Sequence, residues 1–215
     1  MKNVKAIIFD AYGTLFDVNS AAEKCKDKIG DKWEPFANFW RTTQLEYTWL
    51  RSLMGRHKDF WQVTEDSLDK SMKAFNIDSS MKNELLNLYK ILSPYKEVSE
   101  TLKALKEKKF KLAILSNGTP SLLNELIKSN NLNDLFDDIF SIEEVGVYKP
   151  DSKVYDIPVK KYKIKKDEIA FLSANTWDVS GGGNYGYQAI WVNRNNNIFD
   201  TVSYTHLTLP TNREV

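Results

Sequence analysis

Residues 5–17 read KAIIFDAYGTLFD, and this stretch decides the fold. Its apolar run from Ala6 to Phe9 is typical of a strand that is buried on both faces, as in a parallel sheet. The run ends at Asp10, and a turn containing Gly13 follows. In open parallel sheets, ligands bind just outside the carboxyl ends of the strands. An aspartate there is placed to act as a nucleophile. Taken alone, however, the pair Phe9-Asp10 favours an aspartate that only caps a turn.

Helical spacing replaces the strand pattern after Phe16 and continues to about Leu92. This block contains one proline and two glycines, and it predicts an insertion of three to five helices. The segment SPYKE at residues 93–97 interrupts it. Because proline disfavours helical geometry in the residue before it, this segment predicts a hinge.

Strands and helices then alternate to about residue 195. Apolar runs predict strands at residues 111–115, 139–141, 168–172 and 188–192, with amphipathic stretches between them. Repeated strand–helix units of this kind predict an α/β fold with a doubly wound parallel sheet. We therefore expect a core domain of residues 1–15 and 97–200, and a helical cap domain of residues 16–96.

Some features do not fit this pattern. Pro158 lies inside the helix expected after Asp151, so that helix should end early or kink. Residues 201–215 lack a helical or strand period, and we interpret them as an atypical, non-native tail. The glycines at 181–183 are expected to permit close packing of a helix on the sheet. His57 and His206 lack triad partners and are expected at the surface.

Composition excludes several classes of function. The chain has 215 residues and a formal charge of +1, so its net charge does not recruit nucleic acid. A single cysteine, Cys25, excludes an internal disulfide and a cysteine-cluster metal site. No apolar run approaches the ~20 residues of a membrane span, and the N-terminal segment is too short for a signal peptide. A cytoplasmic protein without membrane partners is expected.

Polar residues follow three of the predicted strands, and they carry a family resemblance. The motifs are DAYGTL at 10–15, SNGTP at 116–120, YKP at 148–150 and SANTWD at 173–178. With these motifs the chain resembles the haloacid dehalogenase superfamily over about residues 4 to 195. Within it, the sequence is similar to the L-2-haloacid dehalogenases rather than to the phosphatases.

Two positions separate these subgroups. Superfamily phosphatases carry a second aspartate two residues after the nucleophile, where this chain has Tyr12. They also hold magnesium with paired acidic residues in the last motif, where Asp178 remains but its usual partner is replaced by Ala174. Magnesium prefers octahedral oxygen ligands, and one lost carboxylate makes such a site hard to build. The resemblance therefore implies hydrolytic removal of halide from short L-2-haloalkanoic acids, with no metal and no cofactor.

The resemblance also implies a role for each motif residue. Asp10 would form an ester with the substrate, Lys149 would keep Asp10 ionised, and Asp178 would activate water. The implied catalytic set is Asp10, Thr14, Lys149, Ser173, Asn175 and Asp178. The implied substrate-binding set is Ala11, Tyr12, Arg41, Leu45, Phe60, Ser116, Asn117, Tyr155 and Trp177. Arg41 and Asn117 would face the departing halide, while Ser116 and the amides after Asp10 would receive the substrate carboxylate.

Each assignment has a structural alternative. Lys149 could be a solvated loop lysine, Arg41 could pair with Glu46 on its own helix, and the aromatic residues could be core. Ser173 and Asn175 could simply form a turn. A magnesium-dependent phosphatase and a non-catalytic relative remain the competing functions. The aromatic-rich insertion and the resemblance lead us to expect a homodimer.

Overall fold

A parallel β-sheet forms the centre of the fold. The computed structural model describes residues 3–200 and the backbone of residues 207–210. The first five strands are β1 (Ala6–Phe9), β2 (Lys111–Ser116), β3 (Asp138–Ser141), β4 (Ile169–Ser173) and β5 (Gln188–Asn193). They lie in the order β3-β2-β1-β4-β5, and each neighbouring pair is parallel. The predicted α/β fold with a parallel sheet is confirmed.

Strand β1 occupies the middle of this order. Phe9 pairs with Ile114 of β2 on one side and with Leu172 of β4 on the other. Ala6 and Ile8 are fully buried, which explains why this strand is a continuous apolar run without alternation. The carboxyl ends of β2 and β4 therefore flank the end of β1, where Asp10 follows.

The helices between β1 and β2 include the predicted insertion. The first five are α1 (Ser20–Glu23), α2 (Lys26–Ile29), α3 (Trp33–Leu53), α4 (Phe60–Phe75) and α5 (Lys82–Lys90), with 3₁₀ turns at Gly30–Lys32 and Ser79–Met81. Asp59 caps α4 by accepting a hydrogen bond from the Gln62 amide at 2.8 Å. The helical cap is thus present, whereas its exact limits at residues 16 and 96 stay a prediction.

Four helices belong to the strand–helix alternation. They are α6 (Val98–Glu107), α7 (Pro120–Ser129), α8 (Ser152–Tyr162) and α9 (Thr176–Tyr185), with 3₁₀ turns at Asn133–Leu135, Ile142–Glu144 and Lys166–Glu168. Thr119 and Asp151 cap α7 and α8 with their side chains, as expected for Asp151. Within residues 3–200, no helix combines the length and apolarity that a membrane crossing requires.

Of the two expectations for Pro158, an early end of α8 is wrong, and a kink stays a prediction. The helix continues through Pro158 to Tyr162. Proline costs one backbone hydrogen bond inside a helix, but tertiary packing can offset that loss. Here Val154, Tyr155, Ile157 and Pro158 are all buried, so the packed face holds the helix across the proline.

Two further expectations need correction. His57 is half-buried, and its Nε2 atom lies 2.8 Å from Oε2 of Glu143, because the loop between α3 and α4 packs on the Ile142–Glu144 turn. Within the tail, residues Leu207–Pro210 form strand β6, parallel to β5 at the sheet edge. Backbone pairing gives this segment a strand that its side-chain pattern does not predict. His206 and the rest of the tail lie outside the described residues.

The glycines of α9 lie against the residues beneath the helix. A Cβ atom on Gly181 would lie 2.5 Å from the Tyr155 hydroxyl, and one on Gly182 would lie 2.7 Å from Cδ1 of Phe171. Both distances are shorter than a tolerable contact, so α9 can approach β4 and α8 this closely only without side chains there. The expectation that these glycines permit close helix–sheet packing is confirmed.

Replacing Gly182 by Ala should therefore destabilise the protein. Overpacking commonly costs ~1–3 kcal/mol, while the gain in helix propensity returns only about 1 kcal/mol. Urea unfolding should show a net loss in free energy of unfolding. In a double-mutant cycle, Gly182→Ala combined with Phe171→Leu should cost less than the sum of the single changes. Equal or greater stability of Gly182→Ala would contradict this account of the packing.

Candidate active site

Asp10 is held in place by three side chains. Its carboxylate is buried, with 5% of the residue exposed. Oδ2 accepts hydrogen bonds from Thr14 Oγ1 and from Asn175 Nδ2, each at 2.8 Å, and Oδ1 accepts one from Lys149 Nζ at 3.1 Å. The Ala174 amide donates to Thr14 Oγ1 at 2.8 Å. The turn after β1 and the loop after β4 thus fix Oδ2, and Lys149 fixes Oδ1.

Lys149 bridges two carboxylates below the surface. Its Nζ atom donates to Asp10 Oδ1 at 3.1 Å and to Asp178 Oδ2 at 2.9 Å, and the ammonium side chain is fully buried. Burial alone would lower the pKa of Lys149, but Asp10 and Asp178 together outweigh it and raise that pKa. Lys149 therefore stays protonated, and it is not a solvated loop residue. Asn117 supports the loop, since its Oδ1 accepts from the Lys149 amide at 3.2 Å.

Asp178 is the second carboxylate of the site, on the first turn of α9. It is fully buried, and its Oδ1 accepts a hydrogen bond from the Tyr155 hydroxyl at 2.7 Å. Burial raises the pKa of Asp178 to about 6; the charge of Asp10 acts in the same direction, while Lys149 and Tyr155 oppose it. A carboxylate with this pKa can take up a proton near neutral pH.

Arg41 links the cap to the turn after β1. On α3, its Nη2 donates to the Tyr12 carbonyl at 3.3 Å, and its Nη1 donates to Gln44 Oε1 at 2.9 Å. The alternative pairing with Glu46 is not what the structure shows, because the Glu46 carboxylate faces Lys70 at 3.7 Å. Arg41 therefore brings a positive charge to the Asp10 turn from the cap side.

Tyr12 lies between two aromatic rings of the cap. Its ring centroid is 5.7 Å from that of Tyr89 and 5.0 Å from that of Phe60. Burial raises the pKa values of Tyr12 and Tyr89, so both phenols stay neutral. The place of the second phosphatase aspartate is thus taken by a neutral, packed ring. Phe60 is fully buried in this stack.

The remaining predicted residues lie around this centre. Trp177 stands edge to face with Trp49 at 5.5 Å, beside a cleft of about 440 Å³ between α3 and the Lys149 loop. Leu45 is half-buried on α3. Ser116 is buried, and its Oγ accepts from the Gly118 amide at 3.1 Å. Ser173 does the same for the Asn175 amide at 3.1 Å. Both serines thus shape turns, although each hydroxyl keeps a proton to donate.

The donor set does not fit a magnesium ion. Within the described part of the chain, no three His, Cys, Asp or Glu side chains cluster in a way that could hold a metal. Asp10 and Asp178 are both bonded to the Lys149 ammonium, and Ala174 offers no side-chain ligand. A cation of the protein itself therefore occupies the position between the two carboxylates.

Comparisons with known proteins show the family of this chain. The haloacid dehalogenase-like hydrolase family matches residues 4–186. The chain is 41% identical over 198 residues to (S)-2-haloacid dehalogenase 1 of Pseudomonas sp. (strain CBS-3), covering 91% of this chain and 87% of the relative. It belongs to the L-2-haloacid dehalogenases of that superfamily.

Solved structures of dehalogenases share the fold. A dehalogenase crystal structure superposes with a TM-score of 0.93 at 34% identity, covering 97% of this chain and 94% of that one. The L-2-haloacid dehalogenase of Xanthobacter autotrophicus, with chloropropionic acid covalently bound, gives a TM-score of 0.83 at 37% identity, covering 89% and 78%. A covalent substrate complex is therefore known for a structure similar to this dehalogenase-family chain.

Some supporting residues escape sequence reasoning. Arg194 follows β5 and lies 3.6 Å over the Tyr95 ring, with Nη2 bonded to the Thr14 carbonyl at 2.6 Å. Tyr89 reaches Gln44 from 45 positions away. Neither contact has a local signal in the sequence. Gln44 does have one, since it lies three positions after Arg41 on a predicted helix, where side chains meet.

Removal of the Tyr155 hydroxyl should raise the pKa of Asp178 above its present value of about 6. The phenol donates to the ionised carboxylate, so Tyr155→Phe destabilises the charged form and favours the proton. Carbon-13 NMR of aspartate-labelled protein, assigned with Asp178→Asn, measures this titration directly.

Tyr162→Phe is the matched control. Tyr162 lies on the same helix α8, but its hydroxyl bonds to Asp138 at 2.8 Å. Its replacement should leave the Asp178 titration unchanged. A Tyr155→Phe titration at or below that of the parent would show that this hydrogen bond does not tune Asp178.

Proposed function

We propose that this protein hydrolyses short L-2-haloalkanoic acids to 2-hydroxy acids and halide. The observation that carries the proposal is the buried Asp10 carboxylate, fixed by Thr14, Asn175 and Lys149. A carboxylate held by donors at the carboxyl end of a central strand can attack a carbon that approaches from the cleft. The same chemistry belongs to the relatives that this chain resembles.

In the first step, Asp10 attacks C2 of the substrate. The carboxylate lone pair forms the new carbon–oxygen bond while the carbon–halogen pair leaves with the halide. Arg41 and Asn117 face the departing anion, where fixed donors stabilise developing charge. Ser116 and the amides of Ala11 and Tyr12 hold the substrate carboxylate. The alkyl group contacts the apolar residues Leu45, Phe60 and Trp177.

In the second step, water attacks the carboxyl carbon of the Asp10 ester. Asp178 accepts a proton from that water, and Ser173 and Asn175 orient it. The bond between the carboxyl carbon and the ester oxygen then breaks, and that oxygen takes the proton from Asp178, so the hydroxy acid leaves with an oxygen that belonged to Asp10. The second proton of the water is released to solvent as the Asp10 carboxylate re-forms. Lys149 remains protonated and balances the negative charge that develops on the carboxyl group.

The charge around Lys149 changes during this cycle. In the free enzyme, the positive charge of Lys149 faces two carboxylates. Ester formation removes the negative charge of Asp10, so Asp178 then has the ammonium to itself. Because Asp10 is one cause of the raised pKa of Asp178, that pKa should fall in the ester. Asp178 is therefore ionised when the hydrolytic water needs a base.

Three further predictions are part of this proposal. The helical cap spans residues 16–96 and closes over a core of residues 1–15 and 97–200. The protein is cytoplasmic, and it forms a homodimer. Exposed apolar side chains at the end of α3, namely Leu50, Leu53 and Met54, support association with a second copy.

A single turnover in ¹⁸O-labelled water tests the nucleophile. With enzyme in excess over L-2-chloropropionate, the label should enter the carboxylate of Asp10, and the hydroxy acid should stay unlabelled. Mass spectrometry of the peptide containing residues 9–11 measures the gain of label. Label in the hydroxy acid during that turnover would instead make Asp10 a base that activates water.

Metal chelation separates this reaction from the phosphatase alternative. Because Lys149 occupies the position between Asp10 and Asp178, halide release should be equal with and without EDTA. Hydrolysis of p-nitrophenyl phosphate should not respond to added magnesium. Dehalogenation lost in EDTA and restored by magnesium would refute the metal-independent mechanism, and magnesium-dependent phosphatase activity alone would support the alternative.

A further inference from the structure

Gln44 joins Arg41 to the interior of the cap. It is buried, with 1% of the residue exposed. Its Oε1 accepts from Arg41 Nη1 at 2.9 Å, while its Nε2 donates to Thr64 Oγ1 at 2.7 Å and to the Tyr89 hydroxyl at 3.0 Å. Both ends of the side-chain amide are therefore satisfied, as a buried amide requires.

The Thr64 hydroxyl determines the direction of these hydrogen bonds. Thr64 Oγ1 lies 2.7 Å from the Phe60 carbonyl, which can only accept, so the threonine hydroxyl donates there. The same oxygen must then accept from Gln44, which places the amide nitrogen toward Thr64. The amide oxygen consequently points at Arg41, whose guanidinium can only donate. A flipped Gln44 would set two donors against each other.

We propose that Gln44 is a positioning residue that fixes the Arg41 guanidinium in the orientation needed to receive the departing halide. Arg41 Nη2 contacts the Tyr12 carbonyl, two residues from Asp10 in the chain, and Nη1 is held by Gln44. A neutral acceptor orients the guanidinium and leaves its charge intact. A carboxylate at this position would instead cancel that charge. The inference rests on the proposed function, and it adds a residue of the cap to the first step.

The dependence of kcat/KM on the leaving group tests this role of Gln44. Chloride is a poorer leaving group than bromide, so cleavage of the carbon–chlorine bond depends more on the oriented guanidinium. Gln44→Met keeps the length of the side chain and removes its acceptor. The ratio of kcat/KM for L-2-bromopropionate to that for L-2-chloropropionate should rise at least about threefold in this variant. This quantity reports the steps through halide expulsion and is unaffected by the fraction of folded enzyme.

Two other variants test the same role without changing Gln44. Thr64→Val removes the acceptor that fixes the amide, without touching Arg41, and should raise the same ratio to a smaller extent. Thr48→Val is the matched control: it removes a buried hydroxyl of α3 that bonds to the Leu45 carbonyl, and the ratio should stay at the parent value.

The outcomes separate this inference from the proposed function. A raised ratio in Gln44→Met and Thr64→Val, with Thr48→Val unchanged, supports the positioning role. An unchanged ratio in Gln44→Met and Thr64→Val would overturn it while leaving the dehalogenase function standing, as would an equal rise in Thr48→Val. Absence of halide release from both substrates by the parent would refute the proposed function, and this inference with it.

Discussion

The site depends on one buried ammonium group. Lys149 is removed from water, and a charge of this kind is costly inside a protein unless partners compensate for it. Asp10 and Asp178 supply that compensation at 3.1 and 2.9 Å. Removal of Lys149 would leave two buried carboxylates without a counter-charge, whereas removal of either carboxylate leaves the ammonium paired with the other. The excess of one negative charge distinguishes this triad from a structural ion pair and leaves a carboxylate available for chemistry.

The parallel sheet brings these groups together. Asp10 follows β1, Asp178 follows β4 in the first turn of α9, and Lys149 is held by Asn117 after β2. Because β2 and β4 flank β1, residues far apart in the chain meet at one edge. The cap contributes what the core lacks, namely the Arg41 charge and the aromatic rings around Tyr12. In the proposed mechanism, the charged groups for ester chemistry come from the core, and the cap adds Arg41, Leu45 and Phe60 to the core residues Asn117 and Trp177 around the halide and the alkyl group.

Much of this arrangement could be predicted from the sequence. Strand ends are marked by apolar runs that stop at polar residues, so the fold class predicts that Asp10 and Asn175 lie at the same edge of the sheet. That their strands are neighbours is known only from the structure. Tyr12 and Ala174 predict a site without magnesium, and the Lys149 ammonium between Asp10 and Asp178 supports that prediction. Pro158 wrongly predicts an early end of α8, because the local cost of proline in a helix does not reveal the tertiary packing that offsets it. His57 is half-buried, and Tyr89 and Arg194 contact residues that are distant in the chain. These features depend on tertiary contacts, which no local sequence pattern contains.

Small residues can matter to a reaction as much as charged ones. Asp178 needs the Tyr155 hydroxyl at 2.7 Å, and that hydroxyl lies where a Cβ on Gly181 would be, at 2.5 Å. Tyr155 can therefore pass beneath α9 only because position 181 has no side chain. The neighbouring Gly182 allows Phe171 to lie under the same helix, with its ring 5.1 Å from the Lys149 ammonium. The glycine run sets the distance between α9 and the sheet at which Asp178, Tyr155 and Lys149 can meet.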